Sequence, residues 1–167
     1  MKESLVSLNH EFVIVDNDID KSNWNKISSD FCKNKKNFEY VAIYDDYIQY
    51  FSDFFNFFTL YNLARDENIQ GLCYYGVTKI PFEALDSVLE MLELILRIFE
   101  FAPDEINLTN NYVCVFAHNP DFIGNHKKGY CKRLKISKDK FCKKLKDVIK
   151  LFSKAKTKKR CIIHIGI

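Results

Sequence analysis

Four histidines (His10, His118, His126, His164) and six cysteines (Cys32, Cys73, Cys114, Cys131, Cys142, Cys161) are the side chains of this 167-residue sequence best suited to acid–base, nucleophilic or metal chemistry. Their spacing assigns none of them such a role. No two cysteines stand in C-x-x-C register, and the one run that gathers ligand types, Cys114, His118, His126 and Cys131, has the gaps of no common zinc module. The sequence contains no G-x-S-x-G, phosphate-binding loop, H-E-x-x-H or G-x-G-x-x-G pattern. His164 sits in the apolar run Ile162-Ile163-His164-Ile165, which predicts a hydrogen-bonded structural histidine. Cys114, between Val113 and Val115, predicts a buried thiol that behaves as a small hydrophobe. No catalytic, cofactor-binding or metal-binding residue is therefore assigned. An enzyme would need an active site assembled from scattered residues.

The elements that would position these side chains follow from hydropathy periods. Residues 12–15 and 38–44 read as strands and residues 21–34, through Trp24, Ile27 and Phe31, as a helix. The aromatic-rich stretch 45–64 suits one helix or two short helical pieces, and residues 71–79 a strand with Gly76 at a bulge or close contact. Pro81 opens the strongest helix, with a core stripe of Phe82, Leu85, Leu89, Leu92 and Phe99 that Val88, Met91, Leu94 and Ile98 widen, and Pro103 ends it. Residues 106–108 and 112–117 read as a hairpin turning at Thr109-Asn110-Asn111. Residues 130–136 form a strand, Ser137 caps a helix to about residue 155, and residues 160–165 form a last strand. The expected fold is a single α+β domain over residues 1–167, with a central sheet of about five or six strands flanked by helices.

Composition agrees with a packed domain: aromatic residues make up 15% of the chain against 5 Gly and 3 Pro, ample core and little linker. The most apolar window, residues 88–101, is interrupted by Glu90, Glu93, Arg97 and Glu100, which a bilayer would not accept. The first residues lack the apolar run of a secretion signal, so the expected compartment is the cytoplasm, where thiols stay reduced.

The net charge of +3 conceals a polarised chain. Residues 1–80 carry 8 basic and 12 acidic side chains, residues 81–121 carry 1 and 8, and residues 122–167 carry 16 and 2. The lysines of the last helix offer a nucleic-acid-binding alternative. Lys143, Lys144, Lys146, Lys150 and Lys154, however, fall on the polar positions of an amphipathic helix, which predicts a solvated face. The acidic first 121 residues suit a basic protein partner.

Three segments add to this. Tyr75-Gly76-Val77-Thr78-Lys79-Ile80-Pro81 with the helix after it, Ala102-Pro103-Asp104-Glu105-Ile106-Asn107-Leu108-Thr109, and the closing Ile162-Ile163-His164-Ile165-Gly166-Ile167 resemble a group of small bacterial immunity proteins, the partners of polymorphic toxins that include contact-dependent growth-inhibition toxins. The resemblance spans about residues 70–167. It implies a cytoplasmic antitoxin that binds the C-terminal domain of its cognate toxin, a nuclease by expectation, in a 1:1 complex and blocks it without chemistry, cofactor, small-molecule substrate, nucleic acid or membrane. It carries no binding residues over. The charge and aromatic pattern nominates Asp45, Asp46, Asp104, Glu105 and Asp121 as charge partners and Tyr74 with Tyr75 as an apolar anchor.

Overall fold

The computed structural model describes the backbone of residues 9–115 and 130–167, with the side chains of these residues except Asp46, 107–115 and 130–135. The elements run β1 (Asn9–Val15), α1 (Trp24–Lys33), β2 (Tyr40–Tyr44), α2 (Asp45–Ile48), β3 (Thr59–Asn62), β4 (Glu67–Gln70), β5 (Val77–Ile80), α3 (Leu85–Glu100), β6 (Glu105–Val115), β7 (Tyr130–Ser137), α4 (Lys138–Thr157) and β8 (Cys161–Ile165). Short 3-10 turns lie at Lys35–Asn37, Ser52–Phe57 and Phe82–Ala84. Six strands form one antiparallel sheet in the order β2-β1-β8-β5-β3-β4, and β6 pairs with β7 in a separate ribbon. The expected α+β class and six-stranded central sheet are present.

The last strand is central. β8 pairs with β1 on one side and β5 on the other, and its first four residues are buried. Because successive strand residues face opposite ways, Ile162 joins Phe12, Ile14 and Ile80 in the larger core, whereas Cys161 and Ile163 join Val13, Val15 and Val77 in the smaller one. The larger core is closed by α3, α4 and the 3-10 turn with Phe55, and the smaller by α1, through Phe31 and the half-buried Trp24 and Ile27. The Cys161 thiol is buried beside the Asp16 carbonyl, 3.2 Å from it, and burial pushes its pKa up to about 11, so it packs as a hydrophobe.

Leu85, Val88, Leu89, Met91, Leu92 and Ile95 form the buried stripe of α3, with Phe82 and Phe99 half-buried at its ends. The expectation that Leu94 and Ile98 widen this stripe fails. They are 52% and 62% exposed, because α3 packs on α4 along one side and turns these residues outward. In α4 the spacing of Phe141, Leu145, Val148, Ile149 and Phe152 predicts a buried stripe; four of these are buried, Ile149 is only half-buried, and Leu151 and Ala155 are buried with them. Ser137 occupies the cap position but makes no side-chain cap hydrogen bond; the Lys138 N–H donates to the Asp104 carbonyl instead, at 2.9 Å.

Three further expectations need correction. The stretch 45–64 is helical only in α2 and the following 3-10 turn, and then becomes β3, hairpinned to β4. At that turn the Asn62 side chain accepts the backbone N–H groups of Ala64 and Arg65, both at 3.0 Å, a local bond set that competes with helix. Residues 71–76 are a tethered loop, and strand begins only at Val77. The supposed hairpin at Thr109-Asn110-Asn111 is one strand: Asn107 pairs with Lys135 and Tyr112 with Arg133, so the extra residues bulge out of a continuous ladder with β7. No helix among the described residues is long and apolar enough to cross a membrane.

Candidate functional site

The site begins with two strands that each place a histidine on the helix-covered face of the sheet. His164 in β8 is paired with Phe12 in β1, and His10 lies two residues before Phe12, which makes the two histidines diagonal neighbours. The His10 Nδ1 and His164 Nε2 atoms are 2.9 Å apart, with both rings buried. The pair continues outward, since His10 Nε2 lies 3.0 Å from a carboxylate oxygen of Asp45 at the start of α2. The Tyr74 hydroxyl donates to that same oxygen at 2.6 Å, and the Gln49 amide donates to the other at 2.8 Å. A line of polar groups thus runs from the middle of the sheet to its surface: His164, His10, Asp45, Tyr74.

The proton positions follow from the acceptors. A carboxylate only accepts, so His10 carries its proton on Nε2 and offers the Nδ1 lone pair to the His164 Nε2–H. His164 Nδ1 is then a bare lone pair, buried, with no hydrogen-bond partner among the described protein groups. Burial pushes the His10 pKa below its usual value against the opposing pull of Asp45, and burial with the neighbouring His10 pushes His164 down to about 3. Both imidazoles are neutral at pH 7. Burial and the Asp45 bond hold the Tyr74 hydroxyl well above the ordinary tyrosine pKa, so it remains a donor.

His10, His164 and Tyr74 line a pocket of about 220 Å³ together with Ile48, Ser52, Asp53, Asn56 and Leu72. Its lip is the 71–76 loop, held at several points. The Gly71 N–H donates to the Phe58 carbonyl at 3.2 Å, the Cys73 N–H to the Thr78 hydroxyl at 2.8 Å, and Asn62 Nδ2 to the Cys73 sulfur at 3.1 Å. Gly71 and Gly76 have φ of 78° and 129°, values that favour glycine. From this fixed loop Tyr74 and Tyr75 project with 38% and 77% exposure, ring to ring at 4.8 Å and near-perpendicular.

The fold brings only part of the nominated contact set together. Asp45, Tyr74 and Tyr75 meet at this lip, and Asp46 follows Asp45, its side chain being outside the described residues. Asp104 and Glu105 sit where β6 begins, with Asp104 paired to Lys138 at 3.6 Å. Asp121 lies outside the described residues, as do His118 and His126 of the cysteine–histidine run. Sequence reasoning missed His10, Ser52, Asp53 and Asn56. The available signal was a second histidine heading a strand-like apolar run, but cross-strand pairing is what joins it to His164.

Much of the basic segment is tied to acidic groups from the first half of the chain. Lys154 and Lys158 both pair with Glu39, Lys156 with Asp86, and Arg160 with Asp16 at 3.0 Å. An open groove of about 860 Å³ separates β2, an edge strand, from α4 and is lined by Lys144, Lys150 and Lys154 opposite residues 38–42. Among the described residues no group of three His, Cys, Asp or Glu side chains is disposed to hold a metal ion. No family model, curated protein or solved structure matches this chain.

Proposed function

We propose that this chain is a cytoplasmic immunity protein that binds the C-terminal domain of a cognate polymorphic toxin, a basic nuclease by class, and neutralises it by occupying its surface. One relationship carries the reading. Two of the segments that resemble immunity proteins, residues 75–81 and 162–167, are stitched together beneath the exposed aromatic lip: Gly166 N–H donates to the Gly76 carbonyl at 2.8 Å and Ile167 N–H to the Tyr74 carbonyl at 3.0 Å. The resembling residues thus serve to hold Tyr74 and Tyr75 rigidly beside the Asp45 carboxylate. Exposed tyrosines on a pre-organised loop, flanked by acidic groups, have the composition of an interface hot spot for a positively charged partner.

The nucleic-acid alternative loses support from the pairing of Lys154, Lys156, Lys158 and Arg160 with internal acidic groups, which would compete with phosphate. The enzyme alternative keeps one favourable observation, the histidine pair beside a pocket. Both rings are buried, however, and each nitrogen but one is committed to the relay.

The decisive experiment is co-expression with the C-terminal domain encoded by the adjoining toxin gene. Restored growth and a 1:1 complex on size-exclusion chromatography with light scattering are expected. Unrelieved toxicity with no complex, for every neighbouring toxin domain, would overturn the assignment.

A further inference from the structure

The central sheet ends in two unlike edges. β4 closes one with Glu67-Asn68-Ile69-Gln70, a short polar strand of the kind that discourages further pairing. β2 closes the other with Tyr40-Val41-Ala42-Ile43-Tyr44, which holds no charge to guard it. The hydrogen bonding fixes which of its backbone groups are unpaired. Ile14 N–H donates to the Glu39 carbonyl at 2.9 Å, and in the same antiparallel register Val41 is opposite Phe12 and Ile43 opposite His10. Residues 39, 41 and 43 therefore turn their N–H and C=O groups to β1, and Tyr40 and Ala42 turn theirs away from it. Those outward groups meet no hydrogen-bond partner among the described residues. The groove of about 860 Å³ runs along them. It is lined by the successive residues 38–42, and because side chains of extended chain alternate in direction, a space that touches all of them follows the backbone edge and not one face.

The opposite wall is α4. Lys144, Lys150 and Lys154 line it against two acidic groups of the groove, Asp147 and Glu39, and Glu39 is already held by Lys154 and Lys158. Lys144 and Lys150 make no ion pair among the described residues, so the wall is positive. We propose that this groove binds an extended acidic segment of a protein partner, which adds to β2 as a further strand and sets carboxylates against Lys144 and Lys150. The backbone favours a peptide over a nucleic acid: the edge offers both donors and acceptors, which another peptide backbone matches and a phosphate chain, carrying acceptors alone, does not. The charge disfavours a second copy, because two β2 edges joined about a twofold axis would bring two lysine-lined helices together. The spacing sets a pattern for the segment. Lys144 and Lys150 are about 9 Å apart along the helix, and alternate residues on one face of a strand are about 6.7 Å apart, a difference that flexible lysine stems span. Acidic residues at alternate positions thus face α4, with apolar ones between them on the side of Tyr40, which is 37% exposed and meets Phe31 of the smaller core. The groove shares no lining residue with the pocket under the tyrosine lip, and the proposal does not depend on the toxin reading.

The test uses the full-length protein labelled with ¹⁵N and the synthetic peptide Ac-TVEVEVT-NH2, with Ac-TVKVKVT-NH2 as the charge control. In the free protein the Tyr40 and Ala42 amides should exchange rapidly with solvent. The acidic peptide should slow both about tenfold or more at saturation and bind with a Kd of about 10–300 μM, and the lysine peptide should bind about tenfold more weakly. A version methylated on two neighbouring central backbone nitrogens, one of which must face β2 in either strand direction, should not bind. Lys144→Gln with Lys150→Gln should weaken binding about three- to tenfold. Ala42→Pro removes an outward N–H without touching the ladder to β1 and should abolish binding; if that variant fails to fold, the lysine pair and the methylated peptide still decide. Equal affinity for the lysine peptide, undiminished binding of the methylated one, or unprotected Tyr40 and Ala42 amides in the complex would overturn the proposal. So would duplex DNA that displaces the peptide from these amides, or a dimer of the free protein that Ala42→Pro dissociates. No toxin is present, so failure here leaves the immunity assignment standing, and failed neutralisation leaves the groove proposal standing.

Discussion

Gly166 lies so close beneath Tyr74 that a Cβ on it would stand 2.1 Å from the Tyr74 carbonyl oxygen and 2.7 Å from that of Cys73. The end of the central strand and the tyrosine loop are therefore in backbone contact, and only a residue without a side chain permits it. Gly166→Ala is expected to push the loop away, costing about 1–3 kcal/mol in denaturant melts and weakening partner binding beyond that loss. A variant with unchanged stability and unchanged affinity would show that the contact is not needed.

The buried histidines predict a specific acid sensitivity. In the unfolded chain both titrate near 6.5, whereas in the native protein His164 is pushed down to about 3 and His10 below its usual value. Between those limits the unfolded state binds protons that the native state refuses, so stability rises with pH and is lost as pH falls below about 6.5. From pH 6.5 to 5.0 His164 alone accounts for about 2 kcal/mol, at about 1.4 kcal/mol per unit. Urea melts across this range should show that slope in the native sequence and a shallower one in His164→Phe. Equal slopes would refute the linkage.

Leu92 and Leu94 separate the faces of α3. Leu92 is fully buried and Leu94 52% exposed. Leu92→Ala should cost about 2–5 kcal/mol and Leu94→Ala less than about 0.5 kcal/mol, as read from chemical denaturation midpoints. Comparable losses would mean that the outer face is covered.

At the binding surface, Tyr75→Ala removes an exposed ring whose contact is Tyr74, so the fold should be unaffected. Affinity for the toxin domain, measured by calorimetry, should fall about 30-fold or more, the effect of a hot-spot tyrosine. Charge reversal at Asp104 and Glu105, at the start of β6, should slow association modestly and in a salt-dependent way, with little change in dissociation. The opposite ranking would move the interface to the β6 edge.

Local periodicity was enough to read the α+β class, helices α1, α3 and α4, strands β1, β2, β7 and β8, and four residues of the buried stripe of α4 from the residues, because each is long enough for its apolar spacing to outweigh local noise. The same spacing misread residues 59–62, where Leu60 and Leu63 continue a helical series from Phe55 but Asn62 turns the chain into a hairpin. It also could not tell the inner from the outer residues of α3, since an apolar helix does not reveal how many neighbours will pack on it. For the site, the residues supplied Asp45, Tyr74 and Tyr75 as candidates by type alone. That His10 meets His164 across 154 residues, that Asp45 sets the tautomer of both, and that the pair stands beside a pocket under the tyrosine loop are consequences of strand order and register. Those depend on which strands pair over the whole chain, and only the tertiary structure decides that pairing.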